Sequence, residues 1–223
     1  LAGGIANEFN NMLTPILGFA SLALNEAPPG SKAYRRLEHI LTAANRSKDL
    51  AEQLLVFSRQ SEPERTPLEL HRVVEEALKF LRPTLPPTIE IRHRMRTEQD
   101  TVLADPDQMH QVLMNLCTNA YHAMPDGGVL EVDLDLVEVE AGVGERPHEG
   151  TYVKLTVRDT GHGMDPDTKE RVLEPFFTTK GSEKRSGLGL SVTHSIVVGY
   201  GGDLVVDSEP GKGTTIHVYL PLS

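Results

Sequence analysis

Apolar residues recur every three or four positions through the first part of the chain, a spacing typical of amphipathic helices. The segment 27–31, "APPGS", contains two prolines and a glycine and is expected to end the first helix. A second apolar run follows in alternating steps of three and four, which is a heptad pattern over about three heptads. The two runs comprise Leu1, Ile5, Phe9, Met12, Ile16, Phe19 and Ala23, and then Leu37, Ile40, Ala44, Ser47, Ala51, Leu54 and Ser58.

These runs predict an all-α helical hairpin over residues 1–62. A lone hairpin buries its apolar seam poorly, so we expect a homodimer through residues 1–60 that forms a four-helix bundle. The alternative is a hairpin packed on its own chain. Residues 61–67, "SEPERTP", are polar with two prolines, and we predict a linker over 63–68 and a second domain over 69–223.

The second domain mixes both periodicities. Helical spacing predicts helices over about 70–81, from Asp105 to about Met124, and from near Gly187 to the glycine pair at 201–202. Asp105 is expected to cap its helix, with Pro106 in the first-turn position where proline is tolerated. Alternation predicts strands over 88–95, 129–139, 151–159, 203–208 and 213–220. This order favours an α/β sandwich with a mixed sheet over a doubly wound parallel sheet.

Composition excludes several classes of protein. The net charge of −10 argues against nucleic acid as the main partner, because phosphate binding needs a basic face. The single cysteine, Cys117, excludes a disulfide framework and a thiolate zinc cluster, and fits a reducing compartment. No apolar run approaches the ~20 residues that span a bilayer. Because the sequence starts inside a helical pattern, we expect a cytoplasmic fragment of a longer protein, without membrane contact of its own; an upstream segment could anchor the full-length protein.

Two asparagines lie four residues apart in "NLCTNAYHAM" (115–124), so Asn115 and Asn119 share a helix face, with His122 one turn further. An amide oxygen is a neutral hard ligand that suits Mg²⁺, which also binds phosphate oxygens. The alternative is a pair of ordinary capping or surface amides.

Three glycine-containing motifs follow. In "DTGHGM" (159–164), a carboxylate at a strand end suits an exocyclic amine, and the glycines let the backbone pass close to a flat ring. In "EPFFTTK" and "GSEKRSGLGLS" (174–191), two aromatics precede a polar loop that we expect to be a lid, and the loop enters a helix whose free N–H groups suit phosphate. "GKGTT" (211–215) alone predicts a hairpin turn. Taken singly, each motif also fits a turn or a surface loop.

In this order and spacing, the motifs from Asp105 to Pro221 resemble the catalytic domain of sensor histidine kinases, in the ATPase superfamily shared with gyrase, Hsp90 and MutL. The resemblance implies a Bergerat-type ATP-binding fold, in which Asn119 binds Mg²⁺ and Asp159 reads adenine. The implied ATP-binding residues are Asn115, Asn119, His122, Asp159, Gly161, Gly163, Phe177, Lys180, Gly187, Leu188, Gly189, Leu190 and Thr214. The matching motifs also include Phe176, Gly211 and Gly213.

Two positions depart from the patterns of related proteins. His122 stands where many kinases carry a basic residue, so its phosphate contact is expected to be weaker at neutral pH, where an unperturbed imidazole is mostly uncharged. Asn115 stands where gyrase-type relatives carry a glutamate that activates water. This difference favours phosphoryl transfer over hydrolysis.

The start of the chain, "LAGGIANEFNNML", resembles the dimerization and phosphotransfer domain of the same kinases, in which a histidine precedes "EFNN". Asn7 occupies the phosphoacceptor position, although an amide cannot carry a phosphoryl group. At about 100° per residue, position 7 lies opposite the apolar positions 5 and 9 and faces outward. The resemblance makes Glu8 the general base toward a histidine, and Asn11 the residue that positions water to dephosphorylate a partner aspartate.

Two explanations of Asn7 stay open: a deliberate replacement of histidine by asparagine, which the intact ATP motifs favour, or a naturally acceptor-less kinase. The leading hypothesis is an ATP-dependent protein histidine kinase core that passes phosphoryl groups to a response-regulator receiver domain. The alternative is a non-catalytic dimeric ATP-binding scaffold. A gyrase- or chaperone-type ATPase is disfavoured by Asn115 and by the heptad hairpin.

Overall fold

A computed structural model describes residues 2–41, 43–44, 64–139, 148–178 and 187–223, with the side chains of 2–12 and 14 outside this description. Contacts divide the chain into two compact units. The first comprises Leu1–Glu62 and Thr178–Leu188, and the second comprises Pro63–Phe177 and Gly189–Ser223. No helix among the described residues is long and apolar enough to cross a membrane.

The first unit contains helix α1 (Ala2–Glu26) and helical residues at 32–41 and 43–44, which we call α2. The break between them falls in the predicted segment 27–31, where Gly30 has a φ of 76° and the Ser31 N–H donates to Pro28 O at 3.0 Å. Ser31 Oγ accepts from Tyr34 N at 3.0 Å at the start of α2. Residues 45–63, which hold most of the heptad seam, lie outside the described part, so the bundle stays a prediction.

The buried stripe of α1 differs from the predicted one. Leu13 and Ala20 are buried, whereas Ile16 and Phe19, predicted on the apolar face, are 47% and 74% exposed. The apolar surface of the helix is wider than the strip that one chain covers. Leu22 extends the uncovered part and is 60% exposed.

The second unit is a five-stranded mixed sheet with helices packed on it, as the sequence predicts. The main elements are α3 (Leu70–Leu81), β2 (Ile89–Met95), α4 (Pro106–Ala123), β4 (Gly128–Val139), β5 (Gly150–Asp159), α6 (Gly189–Gly199), β6 (Asp203–Glu209) and β7 (Gly213–Pro221). The strand order is β2-β4-β5-β7-β6, with β2 parallel to β4 and the other neighbours antiparallel.

Alternation along β4 explains the two faces of this sheet. Leu130, Val132 and Leu134 are fully buried in the core, which also contains residues of α3, α4 and α6. Glu131, between them, points to the other face, where Arg92 and Arg158 lie within 3.9 Å of its carboxylate. One apolar face against helices and one charged face against water give the two-layer α/β architecture.

The predicted start of α4 is confirmed. Asp105 Oδ1 accepts from Asp107 N at 2.9 Å and from Gln108 N at 3.2 Å, and Pro106 is the first helical residue. A proline in this position loses no hydrogen bond, because the first N–H groups of a helix have no partner within it. The cap fixes where α4 begins, and with it the positions of the asparagines three turns later.

Three short elements were not predicted: β1 (Thr66–Glu69), β3 (Thr101–Ala104) and α5 (Pro166–Arg171). Strands β1 and β3 pair antiparallel in a separate two-stranded sheet, with Pro67 opposite Leu103. The linker predicted over 63–68 is therefore wrong for residues 66–68, which belong to β1. The polarity of these residues suggested a linker. The partner strand β3 lies more than 30 residues further along the chain, so no neighbouring residue indicates the pairing.

We expect Cys117 to be unreactive in the folded chain. Its side chain is fully buried in α4, and burial raises the pKa of the thiol to about 12, so almost no thiolate forms near neutral pH. A thiol-specific dye such as DTNB at about pH 8 should label the native protein only at the rate of unfolding, and the guanidinium-unfolded protein at once. Cys117→Ser supplies the blank, and rapid stoichiometric labelling of the native chain would contradict this packing.

Candidate functional site

Helices α4 and α6 bring two of the predicted motifs together. Asn115 Nδ2 donates to Gly189 O at 3.2 Å. A Cβ added at Gly189 would lie 3.7 Å from Asn119 Nδ2. Asn115 and Asn119 therefore share the face of α4 that meets the start of α6, which confirms the predicted shared face.

Asp159 is the last residue of β5, and its carboxylate is held by two backbone donors. Oδ1 accepts from Gly161 N at 2.8 Å and from Thr214 N at 3.3 Å. Both donors bind this one oxygen. No hydrogen bond to Asp159 Oδ2 occurs among the described residues, so Oδ2 can accept a hydrogen bond from a ligand. Burial raises the pKa of the Asp159 carboxyl, while the two N–H donors and nearby His162 act in the opposite direction.

Two glycines allow the end of β5 to pack against the β6–β7 turn. Gly163 has a φ of 66°, and a Cβ there would lie 1.9 Å from Glu209 O. Gly213 has a φ of 88°, and a Cβ there would lie 2.0 Å from Asp159 O. A Cβ at either position would overlap backbone atoms that have nowhere to move. The segments 159–163 and 209–214 are thereby fixed against each other.

Gly161 brings the same segment against the end of α4. A Cβ at Gly161 would lie 2.4 Å from Ala123 O, and His162 N donates to that carbonyl at 3.0 Å. The carbonyl is one of the last in the helix and has no intrahelical donor, so His162 satisfies it. This contact sets the distance between Asp159 and the asparagines of α4.

Ser208 joins the two glycine-containing segments from the side. Its hydroxyl accepts from Met164 N at 2.9 Å and donates to Gly213 O at 3.0 Å, and it lies 2.9 Å from Thr214 Oγ1. The predictions did not include Ser208. In the sequence, Ser208 is a lone hydroxyl residue near the end of a strand. Nothing near it indicates that it bonds Met164, 44 positions earlier, and Gly213, 5 positions later.

His122, Phe176 and Phe177 also lie in the second unit. The His122 ring contacts that of Tyr121, with centroids 4.9 Å apart. The Arg171 guanidinium lies over the Phe177 ring at 4.4 Å, while Phe176 is 69% exposed with a φ of 66°. A positive φ costs a non-glycine residue about 1–2 kcal/mol, so the chain is held in a costly conformation just before the predicted lid.

At the other end of the predicted lid, Gly187 has a φ of 67°, Leu188 is half-buried, and Leu190 packs against the core from α6. Lys180 and most of the lid lie outside the described residues. Asn7, Glu8 and Asn11 lie in α1, and their side chains are also outside the description.

The arrangement suits a nucleotide. A buried carboxylate provides an acceptor for an exocyclic amine, and amide oxygens suit a hard cation. The glycines beside it, expected to let the backbone pass close to a flat ring, instead approach protein backbone, Gly161 at Ala123 O and Gly163 at Glu209 O. No group of three or more histidine, cysteine, aspartate or glutamate side chains that could hold a metal occurs among the described residues.

Comparison with known families identifies the class. The family described as histidine kinase-, DNA gyrase B-, and HSP90-like ATPase matches residues 104–223, which is more than half of the chain and contains every residue of the site just described. The chain belongs to this ATPase family.

Related proteins narrow the class to the histidine kinases. The chain is 38% identical over 226 residues to the sensor kinase CckA of Brucella abortus and 31% identical over 224 residues to the sensor histidine kinase ZraS of Escherichia coli. These matches cover 99% and 100% of the chain, but only 24% and 45% of the two relatives. The chain thus contains the catalytic ATP-binding core of a histidine kinase and spans less than half of these longer proteins.

Solved structures agree on the fold. The mycobacterial sensor histidine kinase MprB is 27% identical, with a TM-score of 0.56 over 70% of this chain and 97% of its own. Full-length ShkA in complex with AMPPNP has a TM-score of 0.71, covers 99% of this chain and 45% of its own, and is 22% identical. The second likeness supports the fold alone.

We expect Asp159→Asn to stabilise the nucleotide-free fold at pH 7. Because burial raises the pKa of Asp159, the stability that this group contributes is full below its unfolded pKa and is lost as pH rises through the folded pKa. Asparagine keeps an acceptor for Gly161 N and Thr214 N but carries no charge. Its advantage in free energy of unfolding should therefore shrink as pH falls toward about 4, the ordinary value for aspartate.

Urea denaturation at the two pH values measures this difference. Asp126→Asn, at an exposed position, is the matched control and should change the free energy of unfolding little at either pH. An Asp159→Asn protein less stable than the wild type at pH 7 would show that the carboxylate contributes more through its hydrogen bonds than its burial costs.

Proposed function

We propose that this chain binds ATP with Mg²⁺ in the second unit and is the core of a two-component sensor histidine kinase. The observation that supports this function best is the meeting of separately predicted motifs around α4. Asn115 and Asn119 lie beside Gly189, and Gly161 lies against Ala123 with Asp159 two residues before it.

Each group has a role that its surroundings suit. Asp159 accepts a hydrogen bond from the adenine amino group through Oδ2, since backbone donors already hold Oδ1. Asn119 binds Mg²⁺ through its amide oxygen. The start of α6 after Gly187 presents N–H groups to the phosphates. His122, Phe177, Leu190 and Thr214, which also lie in the second unit, complete the proposed site.

The acceptor side of the reaction depends on position 7. Bound ATP supplies the γ-phosphoryl group, and a histidine at position 7 would accept it, with Glu8 as general base. Asn7 cannot accept it, so we propose that this chain does not autophosphorylate. Asn11, which remains, would position water against the phosphorylated aspartate of a response-regulator receiver domain, giving a phosphatase activity.

We also propose that the first unit forms a homodimer through residues 1–60. Ile16, Phe19 and Leu22 leave an apolar strip of α1 exposed in a single chain. Exposed apolar strips of this kind mark interaction surfaces, and a second copy of the helical hairpin offers a matching one.

A second candidate function is a non-catalytic ATP-binding scaffold that engages a receiver domain or a partner kinase. Asn7 itself is the observation that favours it, because an asparagine at the acceptor position cannot carry a phosphoryl group although the described ATP motifs remain. The two functions differ in what a restored histidine would do.

The first prediction from this proposal concerns nucleotide binding. Isothermal titration should detect ATP binding in the presence of Mg²⁺, and Asp159→Asn should abolish it, since the amide replaces a charged acceptor with a neutral one at the adenine amino group. Asp126→Asn should bind as the wild type does. An Asp159→Asn protein with unchanged affinity would remove this residue from the site.

The second prediction concerns the acceptor. The unmodified chain should take no label from γ-labelled ATP, whereas Asn7→His should, because an imidazole nitrogen is nucleophilic and an amide nitrogen is not. The label should be acid-labile and base-stable, as a phosphoramidate is. Adding Glu8→Ala should lower the labelling rate by roughly 10²–10⁴-fold, the range for a lost general base.

Two outcomes would overturn parts of this proposal. If Asn7→His binds ATP but never labels, the scaffold function is the correct one. If the unmodified chain labels strongly, the acceptor lies elsewhere and the assignment of position 7 is wrong.

A further inference from the structure

A buried hydroxyl lies behind the start of α6. Thr193 is fully buried, and its Oγ1 donates to Gly189 O at 2.9 Å. Asn115 Nδ2 reaches both groups, at 3.4 Å from Thr193 Oγ1 and 3.2 Å from Gly189 O. The three groups form a closed triangle that joins two helices.

Packing alone does not require this hydroxyl. The neighbours of Thr193 in α6 include Val192 and Val197, both buried, and a valine at 193 would fill the same space without a polar atom. A buried hydroxyl costs free energy unless it is hydrogen-bonded, so its presence here depends on the two partners it has. The presence of a threonine at position 193 is therefore explained by its hydrogen bonds to Gly189 and Asn115.

The partner that gains most is Gly189. A glycine has no side chain by which neighbouring groups can hold it, so only its backbone can be fixed. Here the carbonyl is held from two directions, by Thr193 in its own helix and by Asn115 from α4. Fixing this carbonyl fixes the first peptide units of α6, beside Asn119.

We propose that Thr193 is a positioning residue for the phosphate-binding end of α6, acting through Gly189 and Asn115. This inference rests on the proposed ATP site. The N–H groups of the first turn bind phosphate well only if they are already oriented, because ordering them on binding would reduce the affinity. The triangle orients them before the nucleotide arrives.

Ser195 provides a matched control within the same helix. Its hydroxyl donates to Ser191 O at 2.9 Å, which is the same bond to the carbonyl four residues earlier. Ser195 is exposed, whereas Thr193 is buried against α4. Removing either hydroxyl removes one hydrogen bond to the carbonyl four residues earlier, but only the Thr193 hydroxyl is part of the triangle with Asn115 and Gly189.

The test compares Thr193→Val, Thr193→Ser and Ser195→Ala by titration with ATP·Mg²⁺ and with adenosine. Thr193→Val should weaken ATP binding about three- to tenfold, the value of one hydrogen bond, and leave adenosine binding within about twofold. Thr193→Ser, which keeps the hydroxyl, and Ser195→Ala should both bind ATP like the wild type. Equal losses for ATP and adenosine, unchanged ATP binding in Thr193→Val, or no recovery in Thr193→Ser would each overturn the proposal.

Hydrogen exchange of the nucleotide-free protein separates this inference from the proposed function. Thr193→Val should raise amide exchange across residues 189–197 about threefold or more, and Ser195→Ala should raise it less. If the wild type binds neither ligand, the proposed function fails, and the exchange result alone decides whether Thr193 holds the start of α6. Unchanged exchange in Thr193→Val would then overturn the inference as well.

Discussion

The close approach of backbone to backbone where β5 ends against the β6–β7 turn determines the geometry of the site. No side chain fits at Gly163 or Gly213, since added Cβ atoms would lie within 2.0 Å of carbonyl oxygens across the contact. That approach lets Thr214 N reach the Asp159 carboxylate, and Ser208 connects the same segments from the side. A carboxylate held in this way keeps one orientation although it is buried near the end of a strand. The rest of the site is arranged around it.

Local chemistry was enough to predict most of the second unit. Asp105 followed by Pro106 marks a helix start, and strict alternation from Leu130 to Leu134 marks a strand with one apolar face; both can be recognised from neighbouring residues alone. The association of Asp159 with the asparagines of α4 came from the resemblance of the ordered motifs to a known ATPase family. Which residues lie at the end of a strand or on one helix face follows from local periodicity.

Features that depend on distant partners could not be predicted. Strand β1 pairs with β3 across more than 30 residues, and its own sequence, with Pro67, favours a linker. The first turn of α3 is held by the distant Asp100, whose carboxylate accepts from His71 N at 2.7 Å. Thr193 and Ser208 carry only a hydroxyl each, and nothing nearby in the sequence indicates their partners. In each case the decisive contact is made by the tertiary fold.

The β1–β3 pair also bears on where the second unit can be cut. Arg65, just before β1, donates to Gly199 O at 3.0 Å at the end of α6 and lies over the Tyr200 ring at 5.1 Å. A fragment beginning at 69 would lose these contacts and leave β3 as an unpaired strand, with Leu103 already half exposed. Unpaired edges with apolar side chains recruit other chains by strand addition. Such a fragment would tend to aggregate, and a soluble one would have to begin no later than Arg65.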